Sequence, residues 1–480
     1  MNRRIMKSTA ASSGISRRQF ITTTAAAIAA PAFIPASALG RGGAVAPSER
    51  IVVGIVGWGM MGPGNTSGLM GNKDCQVVAA CDLDKRPLQK AVDAINKNYG
   101  NTDCKAYHDY REMFARTDID AVMLAVPDHW HAVMSIDAAN AKKDIYGEKP
   151  LARTIVEQRA IVKAVQKNKR IWQTGSWQRS VGNFHKAAEI VRNGFIGKVT
   201  EVQVGLPGGH NDFKKTAPAL LARLGQPENN TKYLASLVPG SSDWKSAVTQ
   251  PPPELDYDRW TGPAELLPYV EARIHMNWRW HYNYGAGQLI DWMGHHGDIA
   301  HWGLDFDKTG PTEVEGVGEF PPKDALWNTC TKYRCTLKYP KNVTMTIAGG
   351  YSDIKMGTKW IGTDGWVWVD RSGFDGSNPE WKSWKDEVPE KLAKTRLYKT
   401  ADVLEQKAHY RNFLDCVKSR KPTVTPVETA HNSLVPGHLA LIAMTVGRKI
   451  NWNAKKETIS GDAEASKLLG REYRAPWKLA

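Results

Sequence analysis

A glycine-rich turn near the start of the chain constrains the fold more than any other feature. The turn, Gly57-Trp58-Gly59-Met60-Met61-Gly62, has the spacing G-x-G-x-x-G and directly follows an apolar run at residues 51–56. A second apolar run at residues 77–81 ends at Asp82, about twenty residues beyond the glycines. Such glycines let the backbone approach a pyrophosphate at a helix N-terminus, and the acid accepts from a ribose. The pattern predicts a dinucleotide-binding domain with cofactor contacts at Gly57, Gly59, Met60, Met61, Gly62 and Asp82.

Further strand and helix patterns indicate how this domain continues. Apolar runs at residues 121–126 and 144–146 are separated by a helical pattern at residues 132–142. The alternation predicts an α/β Rossmann fold, a doubly wound parallel sheet with ligands at the carboxyl ends of its strands. Those ends are followed by Pro127, His131, Glu148 and Lys149. Asp82 favours NAD over NADP because a carboxylate repels a 2′-phosphate, while the nearby Lys85 and Arg86 keep NADP open.

The sequence changes character after this first domain. Longer alternating patterns at residues 198–206, 329–348 and 366–369 indicate strands, and tryptophan becomes frequent. We expect a Rossmann domain at residues 50–172 and an α+β C-terminal domain at residues 173–480 with a large, mostly antiparallel sheet. Helical patterns at about residues 405–450 predict C-terminal helices that pack back on the Rossmann domain. A Gly/Pro-rich stretch at residues 207–253 predicts long loops over the site.

The first residues have the features of an export signal. A basic start is followed by Ser16-Arg17-Arg18-Gln19-Phe20-Ile21, a small-residue apolar run and an Ala36-Ser37-Ala38 cleavage pattern. This order is typical of a twin-arginine signal peptide at residues 1–38, followed by a linker at residues 39–49. It predicts a periplasmic protein that is exported in the folded state, without a membrane segment after signal cleavage.

Composition narrows the range of partners. The formal net charge is +15, but the basic residues are scattered and no basic block alternates with aromatic residues, so nucleic-acid binding is not expected. The positive excess favours solubility or the attraction of anions. The six cysteines form no C-x-x-C pair, which favours buried thiols. No metal is expected, because Asp291 and His295 have no evident third ligand.

The segment at residues 278–302 concentrates acid, base and aromatic side chains. If residues 287–303 form one α-helix, Gln288, Asp291, His295 and Asp298 share one stripe. Such a polar stripe indicates a helix that lines a polar cavity, where a histidine can move protons. The alternative is a surface helix whose polar face is solvated. The surrounding tryptophans favour the cavity.

Three motifs together resemble one known family. The glycine turn, Glu148-Lys149-Pro150 and Asp291-x3-His295-x2-Asp298 resemble the glucose-fructose oxidoreductase and inositol dehydrogenase family, Gfo/Idh/MocA, over nearly all of the mature chain. Residues 127–131, 256–263 and 278–280 look like an exported branch of that family. The neighbouring Gly294 and His296 depart from the commoner Gly-x-His order. The spacing of four residues from Asp291 selects His295 as the residue that faces the substrate.

The resemblance implies roles for these residues. Lys149 corresponds to the catalytic lysine, Asp291 to the aspartate that orients substrate, and His295 to the general acid/base. Pro127 and His131 correspond to the loop beside the nicotinamide, which takes hydride from the substrate carbon, and Glu148 would also bind the cofactor. Two or three aromatic rings are expected to contact a sugar, with the candidates Trp260, Trp278, Trp280, Tyr284 and Trp292.

The function predicted from these features is an exported NAD(P)-dependent oxidoreductase. It would transfer hydride between a sugar or polyol hydroxyl carbon and a tightly bound nicotinamide cofactor. One alternative is a glycoside hydrolase that uses NAD for transient oxidation of a sugar, and another is a sensing protein without turnover. The resemblance also implies a homo-oligomer.

Overall fold

The computed structural model describes residues 45–210 and 242–479. The predicted signal peptide at residues 1–38, most of the linker and most of the predicted loop segment at residues 207–253 lie outside the described residues. The segment Met1–Arg50 is a unit of its own, whose described part contains a 3₁₀ turn, Pro47–Glu49. A second compact unit, Ile51–Ala480, contains both sheets.

The first sheet has six parallel strands in the order β3-β2-β1-β4-β5-β6. Its strands are β1 (Ile51–Val56), β2 (Cys75–Cys81), β3 (Lys105–Tyr107), β4 (Ala121–Leu124), β5 (Asp144–Gly147) and β6 (Trp172–Thr174). The accompanying helices are α1 (Gly62–Met70), α2 (Lys85–Tyr99), α3 (Tyr110–Phe114), α4 (Asp128–Asn140) and α5 (Ile155–Lys167). This is the predicted doubly wound Rossmann sheet. Its last strand continues two residues past residue 172.

Local sequence explains where these helices begin and end. The side chain of Asp84 caps α2 by accepting from the backbone N–H of Arg86, and Gly100 ends that helix in the left-handed conformation. Thr154 caps α5 by accepting from the backbone N–H of Glu157, and its hydroxyl donates to the Glu157 carboxylate. The caps fix the helix ends and therefore the loops that border the site.

The second sheet has nine strands in the order β13-β12-β11-β7-β10-β9-β8-β14-β15. Only the β7–β10 pair is parallel among these described strands, so the predicted, mostly antiparallel sheet is confirmed. The strands are β7 (Val199–Leu206), β8 (Glu313–Glu319), β9 (Lys332–Tyr339), β10 (Val343–Gly349), β11 (Gly357–Gly362), β12 (Trp366–Val369), β13 (Phe374–Gly376), β14 (Ile450–Asn453) and β15 (Thr458–Ile459).

Helices of the C-terminal part cover this sheet and return to the first one. They are α6 (Gly182–Arg192), α7 (Tyr257–Thr261), α8 (Gly287–Trp292), α9 (Asp298–Leu304), α10 (Gln406–Ser419), α11 (Val427–Val446) and α12 (Ala463–Lys467). Short 3₁₀ turns lie at Trp177–Ser180, Ser242–Ala247, Glu271–Arg273, His275–Trp280, Pro340–Asn342, Pro379–Lys382 and Glu390–Leu392. Helix α10 packs on α1 and α11 packs on α5. At the first of these contacts a Cβ on Gly68 would collide with the ring of Tyr410.

Three further observations concern the described residues. All six cysteines are free and buried, as the sequence pattern predicts. Within residues 45–210 and 242–479, no helix is both long enough and apolar enough to cross a membrane. The same residues contain no group of three or more His, Cys, Asp or Glu side chains placed to hold a metal ion.

Candidate active site

A cavity of about 580 Å³ opens at the carboxyl edge of the first sheet, where the strand order reverses between β1 and β4. Ligands of doubly wound sheets bind at such a reversal, and the volume is typical of a ligand site. Its walls include most of the predicted cofactor residues, namely Gly57, Gly59, Met60, Met61, Asp82, Pro127, Glu148 and Lys149. The loops that follow four neighbouring strands therefore converge on one space.

The glycine turn leaves room for a ligand close to the protein backbone. Gly57 has a φ of +90°, and a Cβ there would collide with the carbonyl oxygen of Ala125. A Cβ on Gly62 would collide with the carbonyl oxygen of Gly57, so Gly62 shapes the turn without bordering the cavity. Gly59 differs, because a Cβ there meets nothing within 4 Å. Open space over Gly59, at the N-terminus of α1, fits a pyrophosphate.

The acidic residue at the end of β2 lies beside this turn. The Asp82 carboxylate accepts hydrogen bonds from the backbone N–H groups of Trp58 (2.9 Å) and Asp84 (3.0 Å). Burial raises the pKa of Asp82 to about 6. Arg86 donates to the Asp84 carboxylate through Nε (3.0 Å) and Nη2 (2.7 Å), so its charge is already paired. This pairing weakens the attraction of Arg86 for a 2′-phosphate and favours NAD.

The predicted catalytic lysine meets its predicted aspartate. Nζ of Lys149 donates to Oδ1 of Asp291 at 2.8 Å, and Nε of Arg279 lies 3.6 Å from the same oxygen. Burial alone would raise the pKa of Asp291, but the charges of Lys149 and Arg279 outweigh it and lower that pKa below its ordinary value. Asp291 is therefore ionised and holds two cations that border the cavity, Lys149 and Arg279.

Glu148 and His131, two of the predicted cofactor-binding residues, differ in what they contact. Oε1 of Glu148 accepts from the side-chain amide of Asn65 at 2.8 Å, and Tyr410 of α10 donates to the oxygen of that amide at 2.9 Å. His131 does not border the cavity. Its Nδ1 and Nε2 face the carbonyl oxygens of Pro150 (2.6 Å) and Val126 (2.9 Å). The cofactor contact predicted for His131 is thus corrected, because the ring connects two loops instead.

The predicted single helix at residues 287–303 is interrupted. A π turn, Met293–Gly297, separates α8 from α9. Three side chains from other elements donate to carbonyl oxygens of this turn: Ser176 to Gly294 (2.9 Å), Gln178 to His295 (3.2 Å) and Thr358 to His296 (2.7 Å). These donors compensate for the carbonyls that a regular helix would pair, and π turns are frequent at functional sites.

The π turn explains why glycine stands beside the histidines. A Cβ on Gly294 would lie 3.0 Å from Cβ of Lys149, which is closer than such atoms normally approach. Glycine at this position therefore lets the turn pack directly against the lysine. The departure of residues 294–296 from the commoner order accompanies this close contact.

The two adjacent histidines have different surroundings. The His296 ring is fully buried against Phe184 and Trp292, whereas His295 keeps 5% of its surface exposed. Burial, together with the charges of Lys149 and Arg371, lowers the pKa of His295 well below its ordinary value. His295 is therefore a neutral ring beside Lys149, and His296 is a core residue. Packing distinguishes the two residues, since the spacing argument assumed a regular α-helix.

The predicted polar stripe does not continue to Asp298. The extra residue of a π turn rotates everything after it by about 100°. Asp298 consequently faces Arg179 and accepts from its Nε (2.7 Å) and Nη2 (2.8 Å). Arg179 also donates to Asp307. Asp298 thus belongs to a buried ion-pair cluster on the side of the helix that faces away from Lys149. The prediction that Asp298 shares one polar stripe with Asp291 and His295 is therefore wrong.

The predicted sugar-contacting rings divide into two groups. Trp260 and Trp278 border the cavity, and Trp292 lies 5.4 Å from the His295 ring. Trp280 (1% exposed) is packed with Leu326 and Trp327, and Tyr284 (0% exposed) is packed against Trp260 and His129. The predictions for Trp280 and Tyr284 are therefore corrected, because neither ring faces the cavity.

Three charged residues near Lys149 were missed by sequence reasoning. Burial and the charge of Asp291 raise the pKa of Asp128 to about 7, and its Oδ1 has no hydrogen-bond partner in the described part of the chain. Arg279 and Arg371 complete the charged surroundings of Asp291. Asp128 directly follows Pro127 at a strand end, which was a usable indication. Arg279 lies within residues 278–280, which the sequence analysis singled out without assigning the arginine a role, whereas Arg371 had no indication because it comes from a distant hairpin.

The fold and the cavity define a two-domain dinucleotide-binding protein. The chain belongs to the Gfo/Idh/MocA oxidoreductase family: residues 51–176 match "Oxidoreductase family, NAD-binding Rossmann fold" and residues 240–479 match "Oxidoreductase family, C-terminal alpha/beta domain". NAD is accordingly the cofactor of the first domain, and the residues at the glycine turn fit it.

Known relatives agree with this membership. Inositol 2-dehydrogenase of Salmonella typhimurium is 33% identical over 147 residues, which are 30% of this chain and 42% of that protein. A glycosyl hydrolase family 109 protein of Shewanella woodyi is 32% identical over 133 residues, 27% of this chain and 28% of that protein. The chain thus spans less than half the length of these relatives. Among solved structures, the chain is similar to the crystal structure of an aldose-aldose oxidoreductase from Caulobacter crescentus complexed with glycerol. The TM-score is 0.56 at 16% identity, and the match covers 84% of this chain and 99% of that one. At this identity the similarity shows the fold alone.

Proposed function

We propose that this protein is an NAD-dependent oxidoreductase that acts on a hydroxyl carbon of a sugar or polyol. The observation that carries the proposal is the Lys149–Asp291 pair at 2.8 Å beside the neutral His295, with Lys149 bordering the cavity. A lysine, an ionised aspartate and a neutral histidine are the groups that alcohol oxidation needs. The similarity to an inositol 2-dehydrogenase supports a polyhydroxylated substrate.

The side chains have separate tasks in this mechanism. Neutral His295 takes the proton of the substrate hydroxyl, and its low pKa keeps it in the accepting form. Nζ of Lys149 donates to the oxygen as negative charge develops there. Asp291 keeps Lys149 in place through its 2.8 Å hydrogen bond. NAD, when bound, supplies the hydride acceptor.

The experiment is a screen of sugars and polyols with the purified full-length protein, following reduced NAD by its fluorescence. Substrate-dependent reduction in the parent protein, lost in His295→Asn and retained in His296→Gln, is expected. His296→Gln is the matched control because it alters the adjacent histidine, which lies in the core. Equal loss in both variants would contradict the role assigned to His295.

The cofactor and the location belong to the same proposal. The N-terminal sequence supports twin-arginine export to the periplasm, where free nicotinamide nucleotides are scarce, so the cofactor is retained through many turnovers. Cell fractionation of the parent and of an Arg17→Lys, Arg18→Lys double variant tests the route. We expect the parent protein in the periplasmic fraction and the variant in the cytoplasmic fraction.

The resemblance also supports a homo-oligomer. Light scattering of the purified protein tests this by measuring its molar mass.

A second candidate is a glycoside hydrolase that oxidises its sugar transiently and restores NAD in each cycle. The 32% identity to a glycosyl hydrolase family 109 protein favours it. Aryl glycosides distinguish the two reactions. Release of the aglycone without net NADH identifies the hydrolase, whereas net NADH without release identifies the dehydrogenase.

A further inference from the structure

Arg371 occupies a preorganised position beside Trp292, the residue that precedes the π turn. It lies in the hairpin between β12 and β13, where the Asp370 carboxylate accepts from the backbone N–H groups of Ser372 (2.6 Å) and Gly373 (3.0 Å). The carbonyl oxygen of Asp370 accepts from the Asn183 amide at 2.6 Å, which connects the hairpin to α6. These bonds fix the backbone from which Arg371 extends, although the residue itself is exposed.

Two indole rings and one amide hold the guanidinium. Its central carbon lies 4.7 Å from the ring centroid of Trp177 and 4.7 Å from that of Trp292. Its Nε donates to the side-chain oxygen of Gln178 at 3.3 Å. The structure shows no carboxylate partner for Arg371 within the described ranges, in contrast to Arg179 and Arg86. Among the described residues neither terminal nitrogen of Arg371 has a hydrogen-bond partner, and the two indoles leave the group little rotational freedom to lose.

The position is close to the reacting groups. The charge of Arg371 contributes to lowering the pKa values of Asp291 and His295, and Trp292 contacts both Arg371 and the His295 ring. Lys149, Arg279 and Arg371 all lower the pKa of Asp291, whereas burial raises the pKa values of the neighbouring acids Asp128 and Glu148 and so disfavours their charged forms. This excess of positive charge attracts an anion.

Resting on the proposed function, we infer that the substrate is a sugar acid whose carboxylate binds Arg371. A guanidinium with a free edge presents two parallel N–H donors, which match a planar carboxylate in bidentate fashion. The indoles restrict access to the faces of the guanidinium, so a ligand reaches it edge-on. A sugar carboxylate held there leaves the ring hydroxyls to extend toward Lys149 and His295.

The test compares acids with their neutral counterparts on the NAD-loaded full-length protein. The probes are D-glucuronate and D-galacturonate, set against D-glucose and D-galactose. The variants are Arg371→Gln and, as control, Lys359→Gln. Lys359 also lies over an indole, with its Nζ 4.4 Å from the ring centroid of Trp366. The preceding residue, Thr358, faces the π turn, and neighbouring residues of a strand point to opposite faces, so Lys359 projects from the face of the sheet away from the site. Both proteins should unfold at the parent temperature.

We expect the kcat/KM ratio of acid to neutral sugar to fall by about 10- to 100-fold in Arg371→Gln and to stay unchanged in Lys359→Gln. The ratio removes any effect of Arg371 on His295, because both substrates use the same base. A parent that prefers neutral sugars, or a ratio unchanged in Arg371→Gln, would overturn the inference.

Binding is measured in parallel by thermal shift, which separates this inference from the proposed function. If no sugar is oxidised, the proposed function fails, but the thermal shifts still show whether Arg371 binds a sugar carboxylate. Stabilisation by the uronates alone, lost in Arg371→Gln, supports the carboxylate site. Equal stabilisation by acids and neutral sugars, or preference for glucose 6-phosphate, overturns it.

Discussion

Replacing Gly59 separates cofactor binding from folding. A Cβ at Gly59 meets no protein atom within 4 Å, and Gly59 does not have positive φ, so valine there should leave the free energy of unfolding within about 1 kcal/mol of the parent value. The same side chain occupies the space over the turn that a pyrophosphate needs. Overpacking a filled site costs about 1–3 kcal/mol, which corresponds to roughly a 5- to 150-fold weaker Kd for NAD.

The matched control is Gly64→Ala in α1. Gly64 is also exposed, and a Cβ there also meets nothing within 4 Å, but it does not border the cavity. Nucleotide-free protein is titrated with NAD by isothermal calorimetry, and unfolding by urea is measured on the same samples. Gly59→Val should lose affinity and Gly64→Ala should retain it. Parent-like NAD affinity in a folded Gly59→Val protein would refute the placement of the pyrophosphate.

Three further changes test the rest of the site. Lys149→Met should lower kcat by about 10²- to 10³-fold while the protein still binds NAD, because a donor to the developing oxyanion is lost. The pH dependence of kcat/KM tests the base, because His295 must be neutral to accept a proton and its pKa is lowered by burial and by nearby cations. We therefore expect kcat/KM to stay level as the pH falls through 6.5 and to decline only in more acid solution. A decline of kcat/KM at pH 6.5 or above that persists in Asp128→Asn would contradict this expectation. Arg179→Met should lower the free energy of unfolding by about 3–5 kcal/mol, measured with urea, because Asp298 stays buried without its partner.

Much of the first domain could be predicted from local sequence. The glycine turn, Asp82 and Lys149 follow strands whose apolar runs are short and clear, and parallel strands bring such ends to one edge. The family resemblance indicated Lys149 and Asp291 as residues of one site, and the structure adds the 2.8 Å hydrogen bond between them.

What sequence reasoning missed depends on contacts between distant segments. The π turn at Met293–Gly297 is stabilised by Ser176, Gln178 and Thr358, and these come from two other parts of the chain. Periodicity alone therefore predicted a regular helix and placed Asp298 on the wrong side. The difference between Trp278 at the cavity and Trp280 in the core likewise follows from tertiary packing.

The proposed function requires that the cavity hold NAD next to an alcohol-oxidising site. The most direct measurement is to purify the full-length protein without added nucleotide, denature it, and identify the released cofactor by mass spectrometry, with a parallel sample exposed first to the sugar panel. We expect released NAD, and a shift of that NAD to NADH in the sample that received a substrate. Protein that releases no nucleotide and does not bind added NAD would rule out both the cofactor site and the proposed reaction.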